Sequence, residues 1–208
     1  MKRITGMIGL VLAVAGCVSA PKPTYHTLDL SPAAVAETAA INVVVDQIRV
    51  AEPLRREEVL IKKSPTEIEY YAAHKWAASL SELVAQKLNA EFGSREPDRP
   101  TILVYGTLLA FEQVDDPAGP KAVVRLELQF RPDGASRYKQ PLLERVYENP
   151  YRQEPSVAAP GASVEETVRA VVRALSDRLG ALADAIRADA VRAHELAAKA
   201  EEGAADAG

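Results

Sequence analysis

The chain has 208 residues but a single cysteine, Cys17, so no disulfide can form within it. Aromatic side chains make up only 5% of the residues, with one tryptophan, Trp76. A core must therefore be built mainly from Val, Leu and Ile. Basic residues do not outnumber acidic ones, and the formal net charge of -4 argues against nucleic acid as a partner. After the first 16 residues, no apolar run approaches the roughly 20 residues needed for a membrane-crossing helix. No serine occupies a Gly-x-Ser-x-Gly elbow, and no glycine-rich phosphate loop follows a strand-like run. His26, His74 and His194 are scattered, with no histidine, cysteine or acid at metal-ligand spacing, and read as packing or surface residues. Asp115-Asp116 stands beside Pro117 and Gly119 and reads as a solvated turn rather than an acid/base pair. So sparse a set of reactive groups predicts no catalytic residue, no cofactor, no metal and a role other than an enzyme's.

What is present begins at the N-terminus. Lys2 and Arg3 precede a short apolar run from Ile4, and Val14-Ala15-Gly16-Cys17 closes it. Charge, a short apolar stretch and small residues in that order make a secretory signal. The last four residues resemble a lipobox, where a thiol accepts a lipid and small neighbours admit the processing enzymes. The expectation is a signal peptide over residues 1–16, lipidation at Cys17, and a lipidated N-terminus and tether over residues 17–23. A diacylglyceryl group plus an amide-linked acyl chain on that cysteine exceeds the two signals that stable membrane anchoring requires. The mature start Cys17-Val18-Ser19 has no aspartate after the cysteine, which points to the outer membrane.

Along the rest of the chain, Tyr25 to Leu30 alternates like a first strand. Ile41 to Val50 places apolar residues on both faces, as a central strand covered on both sides, or partly covered by a partner, would. Glu58 to Lys62 and Thr66 to Tyr71, split by Ser64-Pro65, suggest a hairpin or small flap. Trp76, Leu80, Leu83, Val84, Leu88 and Phe92 form a helical stripe within 73–92, with Lys75, Glu82, Lys87 and Glu91 mostly away from it. Gly93 is placed to end that helix. Thr101 to Val114, Ala122 to Phe130 and Pro141 to Glu148 predict an antiparallel meander. Ser163 and Glu166 form a capping box for a last helix whose stripe runs from Val164 to Ile186. From Asp189 the stripe continues only as alanines, which predicts a dispensable end with little packing. The expected fold is α+β: a single domain over 24–186, with a mainly antiparallel sheet covered by two main helices, the C-terminal one long. Residues 187–208 form an alanine-rich helical or disordered tail.

The segment from Ile41 to Leu88 carries a pattern larger than any one motif. It has an apolar strand, Pro53-x-x-Arg56, a short strand, Ile68-x-Tyr70 and His74-Lys75-Trp76 opening a helix. In this it resembles the ABC-type transport auxiliary lipoprotein family, which includes paraquat-inducible protein C. Tyr25-x-x-Leu28, Phe111-Glu112 and the closing apolar helix agree, whereas Lys75 replaces an expected arginine. The resemblance implies a periplasm-facing lipoprotein working with an ABC permease, its ATPase and a mammalian-cell-entry (MCE) protein in moving phospholipid or other lipid between membranes. It also leaves open a homo-oligomer. Two other roles compete: an assembly or activator lipoprotein of another envelope complex, and a direct lipid-binding carrier with a groove between sheet and first helix.

Overall fold

The computed structural model describes residues 22–32, 40–136 and 140–205; Cys17 and the signal-like segment 1–16 lie outside them. The central element is the long strand β5 (Thr101–Asp116), because it serves three neighbours. Along one edge it pairs antiparallel with β6 (Gly119–Pro132), and β6 pairs antiparallel with β7 (Leu143–Glu148). The predicted meander is therefore present, with its two longest strands extending further than the alternation indicated. Along its other edge, β5 takes two partners in succession. Its first half pairs in parallel with β2 (Asn42–Val50), and its second half pairs with β3 (Glu58–Ser64) at Gln113 and Val114. β3 continues as a hairpin into β4 (Glu67–Trp76), and the short β1 (Thr24–His26) adds in parallel to β4. Among the described residues the sheet has seven strands and is mixed, with three antiparallel and three parallel pairings.

Two bulges decide which side chains reach the core. The β2–β5 register slips between Val45 and Gln47, leaving Asp46 as the extra residue. One added residue reverses the alternation. Val43, Val45 and Ile48 therefore all face inward and are buried. This corrects the reading of β2 as a central strand: it has one covered face and, among the described residues, pairs only with β5. A second slip, between Leu108 and Ala110, brings Phe111 onto the same face as Leu108 and leaves Leu109 exposed. Ala122, Val124, Leu126, Leu128 and Phe130 of β6 are all fully buried on that face, as their alternation predicts. Gly106 is required by this packing, since a Cβ there would strike Leu128 and the Glu127 carbonyl oxygen.

Both helices cover this one face. Helix α1 (Leu80–Phe92) starts later than the stripe implied, because residues 73–76 belong to β4. Trp76 is a core residue, 3% exposed against Phe111, but on a strand rather than a helix. Ser79 caps α1 by accepting the Glu82 N–H, and Gly93, at φ 83°, ends it by donating to the Asn89 carbonyl. Asn89 also accepts from Val45 N–H at 2.9 Å and donates to its carbonyl at 3.1 Å. These bonds satisfy part of the otherwise unpaired β2 edge.

Helix α2 (Val164–Ala205) opens with the predicted capping box: Glu166 N–H donates to Ser163 Oγ, and Ser163 N–H donates to Glu166 Oε2 at 2.9 Å. Val168, Val171, Leu175, Leu179 and Ile186 are fully buried. The packing does not stop there, because Ala190 and Ala193 are also fully buried. Small side chains let the helix approach closely, so alanines here mark contact rather than projection. Among the described residues, no helix is long and apolar enough to cross a membrane.

Candidate binding cleft

The residues quoted for the family pattern, distant in sequence, converge at one corner of the sheet. After β2, Pro53 helps start a 3₁₀ turn over Glu52–Arg55, where its fixed φ suits the first turn and its missing N–H removes no bond. Tyr70 on β4 donates to the Pro53 carbonyl at 2.8 Å, while the Arg56 guanidinium lies 4.6 Å over the Tyr70 ring. Lys75 reaches Glu57 at 3.2 Å. The turn is therefore held against the hairpin by a hydrogen bond, a cation–π contact and an ion pair. Between the turn, the end of β4 and the start of α1 lies a cleft of about 720 Å³. Ile48, Leu54, Trp76 and Leu80 give it an apolar floor, and Arg49, Arg55, Arg56 and Glu57 bring charge to it.

Arg49 and Arg56 are exposed and form no ion pair with an acidic side chain among the described residues. Arg55 contacts Glu52 in an exposed ion pair and donates Nε–H to the Val50 carbonyl at 3.3 Å. Ser81 donates its hydroxyl to the Ile48 carbonyl from the first turn of α1. These two bonds occupy the backbone acceptors of β2 beside the cleft. The arginines were missed as a group in the sequence, although three of them flank one proline turn in a chain of net negative charge. A volume of this size suits a small molecule or part of a larger amphiphile.

Next to the cleft, the structure brings two of the three histidines together. His26 on β1 and His74 on β4 are both buried, with His26 Nε2 3.1 Å from His74 Nδ1 and the rings stacked at 5.3 Å. His74 Nε2 lies 3.7 Å from Glu165 at the start of α2. Parallel pairing of β1 with β4 creates this contact between residues far apart in sequence. Burial, followed by the neighbouring His74, holds the His26 pKa below that of a free imidazole. The unfolded chain consequently binds the proton more readily than the folded one. This contribution is complete above the free-histidine pKa of about 6.5 and is lost as pH falls from there through the folded-state value. Thermal melting is therefore expected to be level from neutral pH upward and to drop on acidification. His26→Phe should flatten that slope; an unchanged slope would assign it to other groups.

The remaining sequence candidates have structural roles. Asp115 accepts from Lys63 at 2.8 Å and Gln113 at 2.7 Å, and Asp116 accepts the Ala118 N–H at the hairpin turn. Tyr70 and Tyr71 are both half-buried, the latter donating to Gln113 at 2.9 Å. His194 remains apart from the histidine pair, on α2. Among the described residues, no group of three or more His, Cys, Asp or Glu side chains is placed to hold a metal ion.

Among curated proteins there is no match. Two crystal structures are among the solved structures that share the fold. One is of a Xanthomonas campestris protein assigned to a domain family of unknown function, with a TM-score of 0.60 and 12% identity over 86% of this chain and 99% of that one. The other, an uncharacterised protein, has a TM-score of 0.51 and 16% identity over 80% of this chain and 99% of its own. The family comparison bears on the cleft directly, since its match begins one residue after Tyr25 and runs through β2, the proline turn, the hairpin and α1 into β5. Residues 26–107 match the ABC-type transport auxiliary lipoprotein component family, which is the resemblance that Pro53–Arg56, Ile68-x-Tyr70 and His74–Trp76 carry in the sequence.

Proposed function

We propose that this chain is a membrane-anchored, periplasm-facing auxiliary lipoprotein of an MCE/ABC-type lipid transport system. It docks the transport machinery at the outer membrane and has no catalytic step of its own. The family match over residues 26–107 carries the reading, because that family is described as a component of ABC-type transport. The lipobox-like Val14-Ala15-Gly16-Cys17 supplies the anchor, with palmitate among the acyl groups attached at Cys17. Its partners are then an MCE-domain protein and the ABC permease with its ATPase, and several copies of the chain can share the docking. A rigid sheet with a free edge strand suits such work: among the described residues β7 pairs only with β6, and Val146 on it is 51% exposed. A partner strand can add there through main-chain hydrogen bonds.

Immunoprecipitation of the lipoprotein from solubilised envelopes tests this reading. Permease, ATPase and MCE protein should come down together, with the bait labelled by palmitate and recovered in the outer-membrane fraction. Cys17→Ala should lose the label. Labelling that persists in the variant refutes the anchor. Recovery of a different envelope complex refutes the transport role and favours the assembly-lipoprotein alternative.

A further inference from the structure

We propose that the cleft beside the proline turn binds an anionic phospholipid, with its phosphate held by Arg49 and Arg56 and an acyl chain laid against Leu54 and Trp76. The inference goes beyond docking: it assigns a ligand to a surface for which partner binding gives no role. Three observations converge on it.

The first is charge. The chain is acidic overall, yet three arginines gather at one cleft, and two of them form no ion pair among the described residues. The acid beside them, Glu57, is engaged by Lys75. The α1 N-terminus adds little, because Ser79 and the Glu82 carboxylate already form its cap. What remains is guanidinium, whose planar fork matches phosphate oxygens in two parallel bonds. The second is the floor. A free phosphate needs no apolar surface, but the cleft has a floor containing Ile48, Leu54, Trp76 and Leu80. Cationic rim and apolar floor together fit an amphiphile with an anionic head. The third is what the cleft cannot accept. A peptide adding to β2 would need the Ile48 and Val50 carbonyls, and Ser81 and Arg55 already occupy them.

Position supports access. Tyr25 lines the cleft and is 61% exposed. At about 3.3–3.6 Å per residue, the chain from Cys17 to Tyr25 reaches at most roughly 29 Å. An anchor at Cys17 therefore keeps the opening near the lipid surface. This last step rests on the anchored reading; the binding itself does not.

Trp76, the one tryptophan, provides a reporter inside the cleft. The native lipoprotein is reconstituted in phosphatidylcholine vesicles that contain increasing phosphatidylglycerol brominated on its acyl chains. Bromine quenches indole only at contact. Quenching should saturate, and brominated phosphatidylcholine, whose phosphate is offset by its own choline cation beside the arginines, should need about tenfold more lipid for the same effect. Arg49→Gln and Arg56→Gln should each shift half-saturation about tenfold. Arg49 is exposed and its variant should keep the parental melting temperature, whereas Arg56→Gln also loses the contact with Tyr70 and should melt slightly earlier, so Arg49→Gln is the variant that separates binding from stability. Inorganic phosphate at millimolar concentration should leave the quenching in place. Four results overturn the proposal: no saturation, equal quenching by both lipids, arginine variants that behave as the parent, or displacement by phosphate alone. Saturation by an acidic peptide without any lipid response also overturns it. Copurification with the transporter is a separate readout, so failure here leaves the docking reading standing.

Discussion

Glu91→Ala is expected to destabilise the domain by about 3–5 kcal/mol, although the sequence places Glu91 and Lys87 on a solvated helix face. Lys87 is 4% exposed and Glu91 3% exposed, with Lys87 Nζ 2.6 Å from Glu91 Oε1. Lys87 also donates to the Ser31 carbonyl at 2.8 Å, and Arg187 on α2 donates to the Glu91 carbonyl at 3.0 Å. The pair thus joins α1 to the end of the N-terminal segment and to the C-terminal helix. Removing the carboxylate strands an ammonium in the interior with the Ser31 carbonyl as a remaining hydrogen-bond partner. Charge left in such a place costs far more than an exposed ion pair contributes. The double variant Lys87→Met with Glu91→Leu should recover most of the loss, since apolar side chains of similar volume need no compensation there. Urea denaturation of the parent and both variants measures this. A single-variant loss below about 1 kcal/mol would mean that water reaches the pair and that the site behaves as a surface.

The same pair shows where sequence reading reaches its limit. Lys and Glu at i,i+4 form a good surface ion pair, and nothing local distinguishes that from a buried one. Burial is decided by Ser31 and Arg187, which lie on opposite ends of the chain. The strands were legible where alternation is unbroken, as in β6, and misleading where a bulge adds a residue. Asp46 and Leu109 each exchange inward and outward positions, so β2 read as two-faced when its apolar residues other than Val44 share one face. The start of α1 was recoverable, because Ser79-x-x-Glu82 is a capping box and His74 with Trp76 follows a period of two. A continuous apolar stripe through Trp76 hid both signals. The cleft and the histidine pair were not legible, since they join residues that only the sheet order brings together. The family pattern pointed to the right segment without stating its geometry.

Truncation after Ile186 is expected to cost about 3–5 kcal/mol, whereas truncation after Lys199 should leave melting within a few degrees. The alanine-only stripe suggests the reverse for the first cut, because methyl groups bury little surface. The structure changes that estimate through what accompanies the alanines. Tyr147 on β7 donates to Asp189 Oδ2 at 2.7 Å in a buried position, and burial together with this bond raises the tyrosine pKa. A buried hydrogen bond to a carboxylate contributes roughly 1.5–3 kcal/mol. Loss of Arg187 removes its bond to Glu91 and its guanidinium 5.9 Å above the Phe92 ring, loosening the interior ion pair as well. Ala190 and Ala193, both fully buried, add about 0.8 kcal/mol for each methyl exposed. Beyond Ala193 the helix offers no further buried side chain among the described residues, and Leu196 is 44% exposed. Calorimetry on the two truncations, with Asp189→Asn in the full chain, separates the hydrogen bond from the helix. Equal melting of the parent and the Ile186 truncation would show that α2 past this point rests on the domain without stabilising it. If only the shorter form melts early, the last two turns are free to meet a partner, and the helix divides between Ala193 and Lys199 into a structural part and an exposed one.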